Sequence, residues 1–519
     1  MLLSDIVFLG AERHARRPAV LFHDAVVTYA ELGRRVGRLA RALQRRGVAR
    51  GDRVALLLPN VPDTIVSYFG AVAAGAVAVP ANPLLKAAEL TYMWGDSDVR
   101  LAIAAPAQLE TAREALASLP GPRTLVSIGA RAEVPQGVPT LDDLLEEIDE
   151  AGQLPASSAR EHDPAVCLYT SGTTGKPKGA LLSHRNLLTN CRQVAAALDL
   201  KPDDNMLCVL PLFHSFGATV CQNTPLHGGA RLTLVESFHP MRVLDVIERA
   251  RPTVFPGVPA MYAALAQIPA ERKPDLSSLR ACFSGGAPMP LAVMQAFEQR
   301  FGAPILEGDG PTECSPATSV NPLGGVRKCG SIGLPFDGVE MKIFDAQDRE
   351  LPDGEVGEIV VRGDNVMLGY HNQPEATAEA MRGGWYHTGD LGKRDGDGYF
   401  FIVDRKKDML IVGGLNVYPR EVEEVLYAHP AVADAAVIGA PDALRGEVPL
   451  AIVALRPGAS AAAAELTAHC RERLANFKVP RKVVFRDRLP LSGTGKVLKR
   501  LLRKELDLEG CVQTSDRDP

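Results

Sequence analysis

Residues 169–179, YTSGTTGKPKG, are the stretch of this chain best equipped to do chemistry. Three glycines free the backbone to bend around an anion. Ser171, Thr173 and Thr174 offer hydroxyl donors, and Lys176 and Lys178 offer positive charge. Backbone amides, hydroxyls and ammonium groups gathered in one loop are what a polyphosphate requires. The spacing is not that of a Walker A loop, G-x-x-x-x-G-K-[ST]. Lys176 is followed by Pro177 rather than Ser or Thr, and Thr170 stands where the first glycine belongs. A phosphate loop of another kind is expected, and a P-loop kinase or GTPase is disfavoured.

Such a loop needs a scaffold. Residues 165–169 read as a short apolar strand entering it, and a helix-like segment is expected to follow. Upstream, residues 28–47 read as an amphipathic helix. Thr28 and Glu31 form a T-x-x-E capping box, and Leu32, Val36, Leu39 and Leu43 recur on one face. A strand at 53–58, a buried helix within 64–81, and strands at 76–80 and 125–128 follow. Short strands alternating with helices predict βαβ units and a mostly parallel sheet. From about 330 to 405, Gly and Asp punctuate short alternating runs at 340–344, 357–362 and 398–403, which predicts antiparallel strands with turns. Pro419 opens a helix at its favoured first position. Strands at 435–439 and 450–455 flank a loop, and a helix at 464–474 follows. The expected fold is α/β. A large N-terminal domain, residues 1–405, would hold parallel βαβ-type sheets plus a small antiparallel β-barrel-like part. A small mobile α+β C-terminal domain, residues 406–519, would follow it. The segment 151–164 reads as a polar loop and the last dozen residues as a disordered tail.

At 519 residues, 46% hydrophobic and 23% charged, the chain can bury a sizeable core without a metal or disulfide staple. A net charge of −5 gives no general case for nucleic acid. Between 471 and 505, however, twelve Lys/Arg face three Asp/Glu, a local excess that suits a phosphate-rich ligand. The nine cysteines stand singly, with no C-x-x-C pair, which predicts a reduced, cytoplasmic protein without a zinc site. The start is a poor signal peptide, with Asp5 and no basic region. The most apolar stretch, 64–81, contains Gly70, Gly75 and Pro80, and it is shorter than the ~20 residues of a membrane span.

The 169–179 string resembles the signature of the adenylate-forming superfamily, which includes acyl-CoA synthetases, luciferases and the adenylation domains of peptide synthetases. Further motifs return in the family's order along nearly the whole chain. The resemblance implies that Thr170, Ser171, Gly172, Thr173, Thr174, Gly175 and Lys176 cradle the phosphates of ATP. In LPLFHSFG, 210–217, it makes His214 a gate of the acyl pocket with Phe216 beside it; Pro256, Gly286, Ala287, Ser315 and Pro316 also line that pocket. In SGGAPM, 284–289, Gly286, Ala287 and Pro288 pass between the adenine and acyl pockets. In EGDGPTE, 307–313, Glu307, Gly308 and Asp309 border the adenine, Thr312 meets the α-phosphate, and Glu313 helps hold Mg²⁺. Members usually carry an aromatic ring where Asp309 stands, so the base loses a stacking partner here. Asp390 in WYHTGD matches the acceptor of both ribose hydroxyls, and Arg405 a second ribose contact. Lys407 takes the hinge position, Gly413 and Gly414 border the thiol channel, and Lys496 in LSGTGKVLKR reaches into the site for adenylation.

The chemistry so implied is formation of an acyl-adenylate from a carboxylic acid and ATP, then transfer of the acyl group to coenzyme A. Lys496, Thr312, Glu313 and His214 form the implied catalytic set. Relatives that activate amino acids usually place an Asp where His214 stands, to pair with the substrate's ammonium, so an amino-acid substrate is disfavoured. The match is most similar to medium- and long-chain fatty acyl-CoA ligases, with aryl and alicyclic acids left open. Two rival readings stand beside it: a ligase that loads a carrier protein, and an inactive homologue that binds nucleotide or acyl groups. A homodimer is also left open.

Overall fold

The computed structural model describes residues 1–148, 158–170, 176–269, 271–442, 444–491 and 497–508. Ser171, Gly172, Thr173, Thr174, Gly175 and Lys496 lie outside these residues, as do 151–157 of the polar loop and the tail.

The expected helix at 28–47 forms as Tyr29–Arg45. Thr28 accepts the Glu31 amide at 3.2 Å, but only that half of the capping box forms, because the Glu31 carboxylate turns to Arg34. Its apolar face meets the helix Pro62–Ala73, where a Cβ on Gly70 would lie 2.5 Å from Leu39. Burying a Leu this way contributes roughly 1.5–3 kcal/mol. The apolar stretch 64–81 divides as its Gly75 and Pro80 predict, into that helix and the strand Val77–Pro80. No described helix is long and apolar enough to cross a membrane.

Two large sheets carry the N-terminal part. Among the described residues one has nine strands; at its centre Asn205–Cys208, Val254–Gly257, Ala281–Ser284 and Ile305–Asp309 run parallel. The other has seven, with Pro164–Thr170 parallel to Val77–Pro80 and antiparallel to Lys178–Ser183. That last pairing corrects the expectation of a helix directly after the phosphate loop. Thr170 sits opposite Lys178, so the two strands that flank the loop pair antiparallel. The helix starts one strand later, at His184, where the Ser183 hydroxyl accepts the Asn186 amide.

The strands Val339–Phe344, Gly357–Gly363, Tyr386–Arg394 and Phe400–Arg405 form an antiparallel sheet in chain order. Its first and last strands do not pair with each other, so this part is an open sheet and not a closed barrel. Beyond Arg405, Val432–Asp442 and Gly446–Leu455 are longer than the sequence suggests and form one hairpin. They join Leu410–Val412, Leu415–Val417 and the parallel strand Lys482–Phe485 in a separate sheet, backed by the helices Pro419–Tyr427 and Ala463–Arg471. Several cations of the basic stretch are occupied locally: Lys478 pairs with Glu421, Lys499 with Glu423 and Arg503 with Asp408. All eight described cysteines are free thiols, and only Cys329 is exposed.

Candidate active site

Parallel strands gather ligands at their carboxyl ends, where loops and helix starts leave backbone groups free. The sequence motifs sit there. Thr170 ends one parallel strand, Gly257 and Ser284 end two more, and Asp309 ends the strand before the Thr312–Cys314 turn. Gly310 is required in that turn by close packing, since a Cβ would run into the carbonyl of Pro316.

Glu313 is the meeting point of the two sheets. It is 8% exposed, and its Oε1 accepts hydrogen bonds from Thr170 Oγ1 at 3.2 Å and from Tyr370 Oη at 2.9 Å. Its carbonyl accepts the Met367 amide at 2.7 Å, which fixes the backbone. Burial and the Glu313 charge push the Tyr370 hydroxyl well above the phenol range, so it remains a donor. Lys178 lies 5.1 Å from the centre of the Tyr370 ring, adding a cation at the mouth of the loop, while Lys176 lies 5.6 Å from the Tyr92 ring. Next to Glu313, the Thr312 hydroxyl stands 3.0 Å from that of Ser215, in the segment that carries His214 and Phe216.

The donor set at Glu313 fits a hard cation. Both protein contacts fall on Oε1, so Oε2 takes no protein hydrogen bond among the described residues. No cluster of three or more His, Cys, Asp or Glu is present among the described residues. One carboxylate suits Mg²⁺, which commonly keeps its other places for phosphate oxygens and water.

The ribose candidate, Asp390, is buried. Its Oδ1 receives Arg405 Nε at 2.9 Å, and the two residues are cross-strand partners. At the candidate acyl pocket, Phe216 meets Phe283 edge-on with centroids 5.5 Å apart, and a Cβ on Gly285 would lie 3.4 Å from the Phe216 ring. Pro256 pairs with Phe283 across neighbouring strands. His214 is half-buried, and its Nδ1 accepts the Phe216 amide at 3.2 Å, which orients the ring. Ser315 is fully buried, and its hydroxyl has no hydrogen-bond partner among the described residues. Gly286 and Ala287 are half-buried and Pro288 exposed, at the end of the strand Ala281–Ser284. Gly308 is buried and Asp309 half-buried; Asp309 raises the charge preference of Arg405 together with Asp390.

Glu307 is enclosed rather than open, at 2% exposure. It accepts the Met289 amide at 3.0 Å and lies 4.0 Å from Arg420 on the helix Pro419–Tyr427. Burial raises its carboxyl to about 7 despite Arg420. Lys407 is exposed in the turn after Arg405. Gly413 and Gly414 form the exposed tip of the Leu410–Val412/Leu415–Val417 hairpin, with φ of 58° and 85° and open space where side chains would be. Tyr370, Met367 and Arg420 join the site without any sequence signal, since only the fold brings them near Glu313 and Glu307.

The model of the AMP-binding enzyme family matches residues 8–371, and that of the AMP-binding enzyme C-terminal domain matches 421–496. A feruloyl-CoA synthase of Amycolatopsis sp is 44% identical over 488 residues, covering 94% of this chain and 95% of that one. A long-chain-fatty-acid–CoA ligase of Bacillus subtilis (strain 168) is 38% identical over 528 residues, covering 97% and 94%. The crystal structure of an anthranilate CoA ligase in complex with anthranoyl-AMP superposes with a TM-score of 0.92 at 31% identity, covering 98% of both chains. With its motifs at the strand ends and these likenesses spanning its length, the chain belongs to the AMP-binding enzyme family, among the acyl-CoA synthetases.

Proposed function

We propose that the chain converts a medium- or long-chain fatty acid and ATP into an acyl-adenylate and pyrophosphate, then transfers the acyl group to coenzyme A with release of AMP. The observation that carries this reading is the convergence on Glu313. There a hydroxyl from the strand that enters the phosphate loop and a phenol from a remote strand fix one carboxylate oxygen, and no protein hydrogen bond among the described residues falls on the other.

A carboxylate is a poor electrophile, so its oxygen first attacks the α-phosphorus, and the P–O bond to pyrophosphate breaks. The protein must align two anions and neutralise charge as it moves. In this reading Thr312 donates to the α-phosphate, and Thr170 with the loop through Lys176 grips the outer phosphates. Glu313 would hold Mg²⁺, which would offset charge on the phosphate oxygens. Asp390 and Arg405 seat the ribose, and Lys496 completes the set. The thiolate of coenzyme A then attacks the acyl carbon, and AMP leaves. We place the domain boundary between Arg405 and Lys406, with Lys407 as the hinge that exchanges Lys496 for the Gly413–Gly414 tip. A cytoplasmic location and a homodimer belong to the same reading, to be tested by cell fractionation and light scattering.

A second reading, an aryl acid, is favoured by the 44% identity to a feruloyl-CoA synthase and by the aromatic pair Phe216–Phe283 in the acyl region. Pyrophosphate release measured over fatty, cinnamic and benzoic acids, with and without coenzyme A, separates these. The highest kcat/KM on a fatty acid with coenzyme A supports the first reading. A cinnamic acid would favour the second, and turnover only with a carrier protein would exclude both acceptor assignments.

A further inference from the structure

Glu358 occupies a junction that no motif in the sequence marks. It lies on the strand Gly357–Gly363 and is 6% exposed. Its Oε1 accepts the Gly389 amide at 3.1 Å. Its Oε2 faces Lys406 Nζ and Arg382 Nη2, each at 3.2 Å, and His387 Nδ1 at 3.3 Å. Gly389 precedes Asp390, and Lys406 precedes Lys407. A further bond closes the ring, because the Lys406 amide donates to the Gly389 carbonyl at 2.9 Å. The Gly389 residue is thus gripped on both sides, its N–H by Glu358 and its C=O by Lys406, and the two gripping residues bond each other.

The contacts of Glu358 are unequal. Arg382 is itself anchored on Asp348 at 2.9 Å, and His387 is buried, so both stay in place. Lys406 has a side chain 56% exposed, where water competes for its ammonium. Removing Lys406 therefore leaves Glu358 paired, and the ring can open without stranding a buried charge.

We propose that Glu358 is a positioning residue that joins the strand carrying Asp390 to the hinge, through a clasp on Lys406 that nucleotide occupancy keeps closed. A ribose seated on Asp390 orders the adjoining Gly389 residue, which holds Lys406 and with it the start of the hinge. Release of nucleotide lets Lys406 go. This rests on the reading of Asp390 as the ribose acceptor and Lys407 as the hinge.

The test is limited trypsin cleavage of the full chain at Arg405, Lys406 and Lys407, with and without saturating AMP. Glu358→Gln keeps an acceptor for the Gly389 amide but turns an amide group toward Lys406. Lys406→Met removes the other partner at an exposed position and leaves Arg405 and Lys407 as cleavage sites. AMP should slow cleavage of the parent chain about tenfold, within the usual range for coupled sites. Both variants should lose most of that protection and, by the same coupling, bind AMP up to about tenfold more weakly, while Lys406→Met keeps the parent's melting temperature in the absence of AMP. Protection by AMP undiminished in both variants would overturn the clasp. Asp390→Asn separates the two ideas: if it binds AMP as the parent does, the ribose reading fails and the clasp with it. If it loses AMP while both other variants stay protected, only the clasp fails.

Discussion

Tyr370 and Glu313 stand 57 residues apart in the chain, yet the phenol donates to the carboxylate at 2.9 Å. The bond fixes which oxygen of Glu313 remains available. A hydrogen bond to a charged group contributes about 1.5–3 kcal/mol. Tyr370→Phe should therefore slow adenylate formation roughly ten- to hundredfold and raise the Mg²⁺ concentration needed for half-maximal rate. A Mg²⁺ titration of pyrophosphate release checks this. An unchanged titration curve with lowered kcat would assign Tyr370 to packing alone.

Lys496→Ala should remove one preorganised cation from the adenylation step, lowering it about 10²- to 10³-fold. Thiolysis of a supplied acyl-adenylate should be nearly unaffected if, as proposed, the lysine serves one pose only. Single-turnover assays of the two half-reactions measure the split. Equal loss in both would refute the role.

Lys407→Pro should restrict the backbone at the proposed hinge. One half-reaction should fall by at least about tenfold relative to the other. Stopped-flow measurement of each step decides it, and equal slowing of both would argue against a hinge at this residue.

Glu307→Gln should change stability in a pH-dependent way. Burial raises the Glu307 carboxyl from 4.5 to about 7, so the neutral form is favoured in the folded chain. Below pH 4.5 the acid is neutral both folded and unfolded, and the variant should match the parent in this respect. As pH rises through 7 the parent loses that stability while the amide does not. The variant should gain up to roughly 3 kcal/mol on the parent across that window and hold it above. Paired melting curves between pH 4.5 and 8.5 test the trend; a constant difference, or one that shrinks as pH rises, would contradict it.

Much of this was legible in the sequence because it is local. The apolar spacing from Leu32 to Leu43 is enough to specify the Tyr29–Arg45 helix, and Gly75 and Pro80 are enough to divide the 64–81 stretch. The motif residues Thr312, Glu313 and Asp390 could be picked out by type and order. What escaped is long-range or competitive. Lys178–Ser183 reads as the approach to a helix, but Pro164–Thr170 offers it a full set of strand partners. The Glu31 carboxylate had two local uses, and Arg34 took it from the cap. The bonds of Tyr370 to Glu313, Glu358 to Lys406 and Arg420 toward Glu307 depend on which strands and helices meet, and no local spacing encodes that.

The most direct measurement is acid-dependent exchange of labelled pyrophosphate into ATP in the absence of coenzyme A. Activation through an acyl-adenylate predicts exchange only when acid and Mg²⁺ are both present, with AMP appearing once coenzyme A is added. No exchange with any acid, or release of ADP and phosphate in place of AMP and pyrophosphate, would contradict it.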